Sequence, residues 1–179
     1  MTGVGSVYGE ALYTLACEEN LSQVILQQLK VLDSCFAAEP DFIRLLGAPN
    51  LPKAERCQIL DDSFRGKIEL YLLNFLKILT EKGYMRHFPD CVSAYRELYN
   101  RDNGILPVTA VTAVPMTEKQ EKALTMKLQQ ITGKQIELVS KLDPNVLGGI
   151  RLDYDGKRVE DTVANRLDAV RNMLKNTVL

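Results

Sequence analysis

A single histidine, His87, is all the imidazole the sequence offers, and its four cysteines, Cys17, Cys35, Cys57 and Cys91, stand far apart with no Cys-x-x-Cys pair. Zinc needs several Cys or His ligands converging, and no such spacing exists. A Ser-His-Asp or Cys-His site would have to assemble around His87, which sits beside Phe88 and Pro89 at the start of a helical segment. A surface or capping role suits it better. Excess charge is missing too: 22 basic side chains stand against 23 acidic ones, a net charge of −1. Nucleic-acid binders carry a basic surplus that displaces counterions from phosphates, and no RNP-type aromatic strand is present to stack bases. No apolar run reaches membrane length; the most apolar, Ile68 to Leu79, is interrupted by Glu69, Asn74 and Lys77. Met1 to Asn20 lack the basic n-region and cleavage site of a secretory signal. Each cysteine falls in a helical-looking segment, where a free thiol behaves as a small buried hydrophobe. A reducing compartment follows.

What is present is the balance of a soluble globular protein, with 46% hydrophobic and 25% charged residues in 179. That length allows one ordinary domain or two small ones. The first 104 residues read as helix after helix. Tyr8, Leu12 and Leu15 set one face of a first helix. Ser22 can cap a second, whose Ile25, Leu29, Leu32 and Phe36 recur at i, i+4, i+7, i+11. Pro40-Asp41 opens a short apolar turn, Phe42 to Leu46, ended by Gly47. Pro52 suits the first position of a fourth helix running to about Phe64. A fifth spans Ile68 to about Glu81 and a sixth Met85 to Arg101, with Phe88, Val92, Tyr95 and Tyr99 on one side. Asn103-Gly104 stops it.

After Gly104 the period changes. Ile105 to Val114, rich in Val and Thr, reads as a strand. Thr117 and Gln120 fit a capping box for a helix carrying Leu124, Leu128 and Ile131, which stops at Gly133. A second strand runs from about Gln135 to Lys141, and a third from Gly149 to Tyr154. Asp155-Gly156 is a favoured two-residue hairpin turn, returning through Arg158 and Val159. Val163, Leu167, Val170 and Leu174 then stripe a final helix. The fold class is mainly α: an N-terminal six-helix bundle over 1–104, then a small α+β domain over 105–179 with a β-hairpin and a C-terminal helix.

Three glycine motifs imitate binding loops. GVGSVYG places Gly3, Gly5 and Gly9 one residue too wide for a dinucleotide fingerprint, with no strand before it, and reads as flexible lead-in. In DYDG, placing Gly156 at the sixth position of a calcium loop puts Arg151 at the first and Thr162 at the twelfth, where a carboxylate is required. Gly148-Gly149 lacks the Lys-Ser/Thr of a P-loop and suits a bend at the head of a strand. No catalytic constellation, cofactor loop or metal set emerges. The fifth helix differs: apolar side chains occupy nearly every direction of its wheel, so it is either central to the bundle or shows an extra face to a partner.

Three segments carry a family resemblance. VYGEALYTLA resembles the Tyr-Ala-x-Ala-Leu-Phe opening, at Tyr8, Ala11, Leu12 and Tyr13, of the δ subunits of F-type ATP synthases, which are similar to the mitochondrial oligomycin-sensitivity-conferring protein. Asn74 through Leu98 resembles the family's fifth and sixth helices. Most specific are Asp143, Pro144, Gly148, Gly149, the Asp155-Gly156 hairpin, Val163, Arg166 and Leu167, in family order. Gly9 departs from the usual Ala, Val7 from Arg or Pro, and Glu160-Asp161-Thr162 from Asp-Gly-Ser.

The resemblance implies a non-catalytic peripheral-stalk protein without cofactor, one copy per complex. Its N-terminal domain sits on the catalytic head and binds the N-terminus of an α subunit in a groove between the first and fifth helices. Candidate groove residues are Tyr8, Ala11, Leu12 and Leu15 with Leu72, Phe75, Leu76 and Leu79. The C-terminal domain engages the C-terminus of the b subunit, so that the head does not turn with the rotor while proton flow drives ATP synthesis. It also implies a peripheral place on the cytoplasmic side of the bacterial plasma membrane. The rival reading is a helical-bundle enzyme or small-ligand regulator using a pocket between helices.

Overall fold

The computed structural model describes residues 3–48, 51–144, 146, 149–154 and 156–162. The final helix expected from Val163 onward lies outside them. Among the described residues the chain is mainly helical, with seven α-helices, a 3-10 turn and a four-stranded mixed sheet. It divides into two compact units, Met1–Tyr99 and Asn100–Leu179.

The first unit holds α1 (Gly3–Glu18), α2 (Ser22–Ala38), α3 (Pro40–Leu46), α4 (Lys53–Phe64), α5 (Leu70–Lys82), the 3-10 turn Met85–His87, and most of α6 (Phe88–Asp102). Ile25, Leu29, Leu32 and Phe36 are all buried, as the stripe along α2 requires. Phe36 packs against the rings of Phe42, Phe64 and Phe88, with centroids 5.7, 6.2 and 5.1 Å away. Leu72, Leu73, Phe75, Leu76 and Leu79 bring α5 into the same core. The buried Tyr95 hydroxyl is satisfied by donating to the Ser22 carbonyl at 2.9 Å. Gly83, at φ 73°, ends α5 with the paired bonds of a Schellman turn, Tyr84 N–H to Leu79 O (2.7 Å) and Gly83 N–H to Thr80 O (3.1 Å).

Several local expectations change. GVGSVYG is helix rather than lead-in, because Gly5 and Gly9 are buried where α1 crosses α6. A Cβ on Gly5 would collide with the Asp90 side chain, and one on Gly9 would lie 2.8 Å from the Ala94 Cβ. Ser22 is the first residue of α2, not its cap. The preceding turn is closed from the α1 side instead, by Asn20 at φ 58° and the Leu21 N–H donating to Ala16 O at 2.8 Å. Only Cys91 is a buried thiol; Cys17 and Cys35 are exposed, and Cys57 is half-buried.

In the second unit, β1 (Ile105–Thr112) runs parallel to β2 (Gln135–Leu142), joined by the crossover helix α7 (Glu118–Thr132). β3 (Gly149–Tyr154) lies antiparallel on the other side of β1, and β4 (Lys157–Thr162) closes a hairpin with it, giving the order β2-β1-β3-β4. Pro107 fits in the central strand because pairing with β3 starts only at Val108, so no ladder donor is needed there. β1 ends at Thr112 rather than Val114, where the Thr112 hydroxyl turns to donate to Val114 O at 2.8 Å. Leu106, Val108, Ala110, Val111 and Val146 are buried. The capping box forms: Thr117 N–H donates to Gln120 Oε1 at 2.8 Å, and Gln120 N–H to Thr117 Oγ1 at 3.4 Å. No residue of α7 is buried, and Ile131, expected on its inner stripe, is 74% exposed.

Candidate docking site

Burial divides α1 sharply. Gly5, Gly9, Leu12, Tyr13 and Ala16 face the core. Val4, Tyr8 and Leu15 are half-buried and Ala11 is exposed. These four recur at i, i+4, i+7, i+11 and therefore form one continuous strip beside the buried face. On α5, Tyr71 is half-buried and Ile78 is 45% exposed, one on the same side as the other at a spacing of seven.

Two contacts join the strips. The rings of Tyr8 and Tyr84 meet edge-on at 5.9 Å, tying the start of α1 to the end of α5. At the other end the Glu19 carboxylate beside Tyr71 raises the phenol's pKa above its ordinary value. The two helices therefore run antiparallel, with Tyr8, Ala11 and Leu15 on α1 and Tyr71 and Ile78 on α5 as accessible apolar side chains. Accessible apolar strips of this kind suit the apolar face of an amphipathic helix.

Of the eight residues expected to line a groove, Tyr8, Ala11 and Leu15 are accessible. Leu12, Leu72, Phe75, Leu76 and Leu79 are core residues, with Leu72, Leu76 and Leu79 at 0% exposure. They belong to the hydrophobic core of the first unit. Tyr71, Ile78 and Tyr84 were missed. Their signal lay in the recurrence of Tyr71, Ile78 and Lys82 at spacings of seven and four, which runs alongside the Leu72-Leu76-Leu79 stripe. On the α4 side of α5, Lys77 pairs with Asp61 at 2.7 Å, and the Cys57 thiol donates to Glu81 at 3.8 Å. Burial and the Glu81 charge raise that thiol's pKa.

His87 occupies the 3-10 turn, where its Nδ1 lies 3.6 Å from Asp90 and its Nε2 accepts from Arg86 Nε at 3.0 Å. In the second unit Asp143 starts a turn, its N–H donating to Thr112 O and its carbonyl accepting from Val146 N–H, both at 3.0 Å. Pro144 is exposed behind it. Gly149 at φ 88° permits the bend into β3, and Gly156 at φ 69° the hairpin turn. Gly148, Asp155, Arg166 and Leu167 lie outside the described residues. Asp153, the third position of the imitated calcium loop, is held by Arg158 (2.9 Å) and Arg151 (3.5 Å). The Arg158 hydrogen bond keeps its carboxyl below the usual range. A carboxylate committed to two guanidinium groups is a poor calcium ligand.

A concavity of about 580 Å³ opens between α2, α3 and α4, walled by Phe36, Phe42, Phe64 and Leu45 with Cys35 beside them. Its polar rim is Glu39, Asp41 and Ser63, and Asp41 is paired with Arg44 at 2.8 Å. The wall offers apolar contact, not acid–base chemistry.

Known proteins align with the chain through both units. A family model described as ATP synthase delta (OSCP) subunit matches residues 4–174. The "ATP synthase subunit delta" of Clostridioides difficile (strain 630) is 30% identical over 176 residues, covering 98% of this chain and 97% of the relative. The protein of the same name from Alkaliphilus oremlandii (strain OhILAs) is 31% identical over 176 residues, covering 98% of each. The fold resembles a chain of the Toxoplasma gondii mitochondrial ATP synthase hexamer solved by cryo-EM, with a TM-score of 0.74 and 20% identity over 97% of this chain and 98% of that one. With the family match running from Val4 to Leu174, across helices, sheet and hairpin alike, the chain belongs to the ATP synthase delta (OSCP) subunit family.

Proposed function

We propose that this chain is a non-catalytic peripheral-stalk subunit of a proton-translocating F-type ATP synthase. Residues 1–104, a six-helix bundle, bind the N-terminal segment of an α subunit on the catalytic head. Residues 105–179 bind the C-terminal end of the b subunit. The molecule thus ties head to stalk and resists rotor torque during ATP synthesis, one copy per complex. It works at the cytoplasmic face of the membrane as a peripheral protein; among the described residues no helix is long and apolar enough to cross a membrane.

The observation that supports this reading is the set of accessible apolar side chains along α1 and α5 in a chain of this family. Each apolar anchor buried there contributes roughly 1.5–3 kcal/mol. Association itself costs on the order of 4–15 kcal/mol, so one helix on one surface gives moderate affinity. A second attachment through the other unit raises the effective concentration and hence the avidity. Two weak ends suit a brace better than one strong end.

The test is calorimetric titration of the full chain with a peptide of the α-subunit N-terminus from the same organism. Saturable binding supports the reading, and no heat at high micromolar peptide overturns it. The b-subunit tail should in turn protect residues beyond 105 from proteolysis.

A further inference from the structure

We propose that the cavity between α2, α3 and α4 binds a small organic cation, an ammonium group carried on an aromatic or alkyl body. None of its lining residues belongs to the strips on α1 and α5, so the site stands apart from the proposed stalk role. At about 580 Å³ the space lies within the range of ligand pockets, roughly 300–1,000 Å³. Three rings form its apolar wall. Phe36 and Phe42 stand close to parallel, with an interplanar angle of 23°, while Phe64 is turned 79° to Phe36 and 82° to Phe42. Phe36 is buried and backs onto Phe88, whereas Phe42 and Phe64 are half-buried and Leu45 is exposed. The wall is therefore fixed from behind and open in front. Ring faces carry the negative part of the aromatic quadrupole, which attracts a cation within about 6 Å of a centroid.

Helix ends set the sign of the charge. Cys35 and Phe36 belong to the last turn of α2, and Ser63 and Phe64 to the last turn of α4, so two helix C-termini bring partial negative charge to one cavity. Neither last turn contains a basic residue. The charged residues of the lining, Glu39 and Asp41, are both acidic. Glu39 is pinned at the joint of α2 and α3, its N–H donating to Cys35 O at 3.0 Å and its carbonyl accepting from Phe42 N–H at 3.1 Å. Among the described residues no ion pair or hydrogen bond holds its carboxylate. Two bases stand nearby without lining the cavity: Arg44 is paired with Asp41, and Lys67 donates to the Ser63 carbonyl at 3.0 Å. An anion would meet carboxylates and carbonyl ends, and a neutral ligand would leave them unused. The rings supply affinity, and the charge selects the class of ligand.

The test uses the full chain and benzyltrimethylammonium, with phenylacetate as the anion of similar body and benzyl alcohol as the neutral one. So small a cation binds with a millimolar dissociation constant at best. The exposed Cys35 thiol at the rim reports occupancy, and Cys17 on α1 serves as the internal control. At twice its dissociation constant the cation should slow alkylation of Cys35 by N-ethylmaleimide about threefold and leave Cys17 unaffected. Phenylacetate and benzyl alcohol should protect less at equal concentration. Glu39→Gln should weaken the cation about two- to fivefold without altering the effect of benzyl alcohol. Leu45→Trp, which fills the mouth from an exposed position, should remove the ligand's effect on Cys35 in a protein that still melts cooperatively. Equal protection by all three compounds, unchanged affinity in Glu39→Gln, or no protection at tens of millimolar cation overturns the proposal. So does Cys35 labelling that slows with rising protein concentration in the absence of ligand, which would put a second copy of the chain over the mouth.

Discussion

Gly9 lies so close to Cys91 that a Cβ on the glycine would stand 2.6 Å from the Cys91 carbonyl oxygen. The obstacle is main chain, which cannot rotate away, so the α1–α6 crossing depends on the missing side chain. Gly9→Ala gains about 1 kcal/mol in helix propensity. Forcing α1 away from α6 costs more, typically 1–3 kcal/mol for an overpacked core. The net expectation is a loss of up to about 2 kcal/mol, read as a lower urea midpoint at unchanged m-value. A more stable variant would show that α1 can slide along α6 without penalty.

The same pair shows where sequence was readable and where it was not. The α2 stripe and the Thr117–Gln120 capping box are local patterns with one physical solution, and both formed. Gly5 and Gly9 carry no local sign of which neighbour approaches them, so a tight helix crossing looked like loose chain. On α5, Leu76 and Ile78 are equally apolar, and a helical wheel fixes only their relative angle. Which sector is covered depends on where α1 and α4 come to rest, and that is settled by packing of distant segments. The strand order β2-β1-β3-β4 was likewise out of reach, since pairing across the sheet is nonlocal. The accessible residues of the two strips were therefore half hidden among their buried neighbours.

Leu76 and Ile78 can be told apart by charge. Leu76→Lys places an ammonium at a fully buried site without a partner, which costs several kcal/mol and should unfold the first unit. Ile78→Lys alters a side chain that is 45% exposed and should leave the melting temperature nearly unchanged. If Ile78 anchors the α-subunit helix, losing it weakens binding by about tenfold. Circular-dichroism melts beside calorimetry read both effects. Unchanged affinity in a folded Ile78→Lys protein would remove that residue from the docking surface.

Cys91 sets an alkaline limit. Burial, with the Asp90 charge adding to it, pushes its thiol from 9.0 up to about 11. The folded state holds the proton while the unfolded chain releases it above pH 9. The contribution is thus complete below pH 9 and lost as pH rises to about 11, amounting to about 3 kcal/mol. Burial raises the Tyr95 phenol as well, which deepens the fall above pH 10. Cys91→Ala should flatten the stability profile between pH 9 and 11. At neutral pH a maleimide should label Cys17 and Cys35 quickly and reach Cys91 only in denaturant; rapid labelling of Cys91 would contradict its burial.

The Thr117–Gln120 box restrains the start of α7, none of whose residues is buried, and the Ser140 hydroxyl donating to Glu121 ties the same turn to β2. Stability of such a helix comes from its end as much as from its face, because its apolar anchors Leu124 and Leu128 are no more than half-buried. Thr117→Ala removes the acceptor for the Gln120 N–H and should cost about 1 kcal/mol, whereas Thr117→Ser keeps the bond and most of the stability. Gln120→Ala leaves the Thr117 N–H without its acceptor and should cost a similar amount. The double variant should lose less than the sum, since each change already breaks the reciprocal pair. Hydrogen exchange of the amides of Glu118 to Glu121 measures this directly. Equal protection in Thr117→Ala and wild type would mean that other contacts, not the cap, hold the helix start.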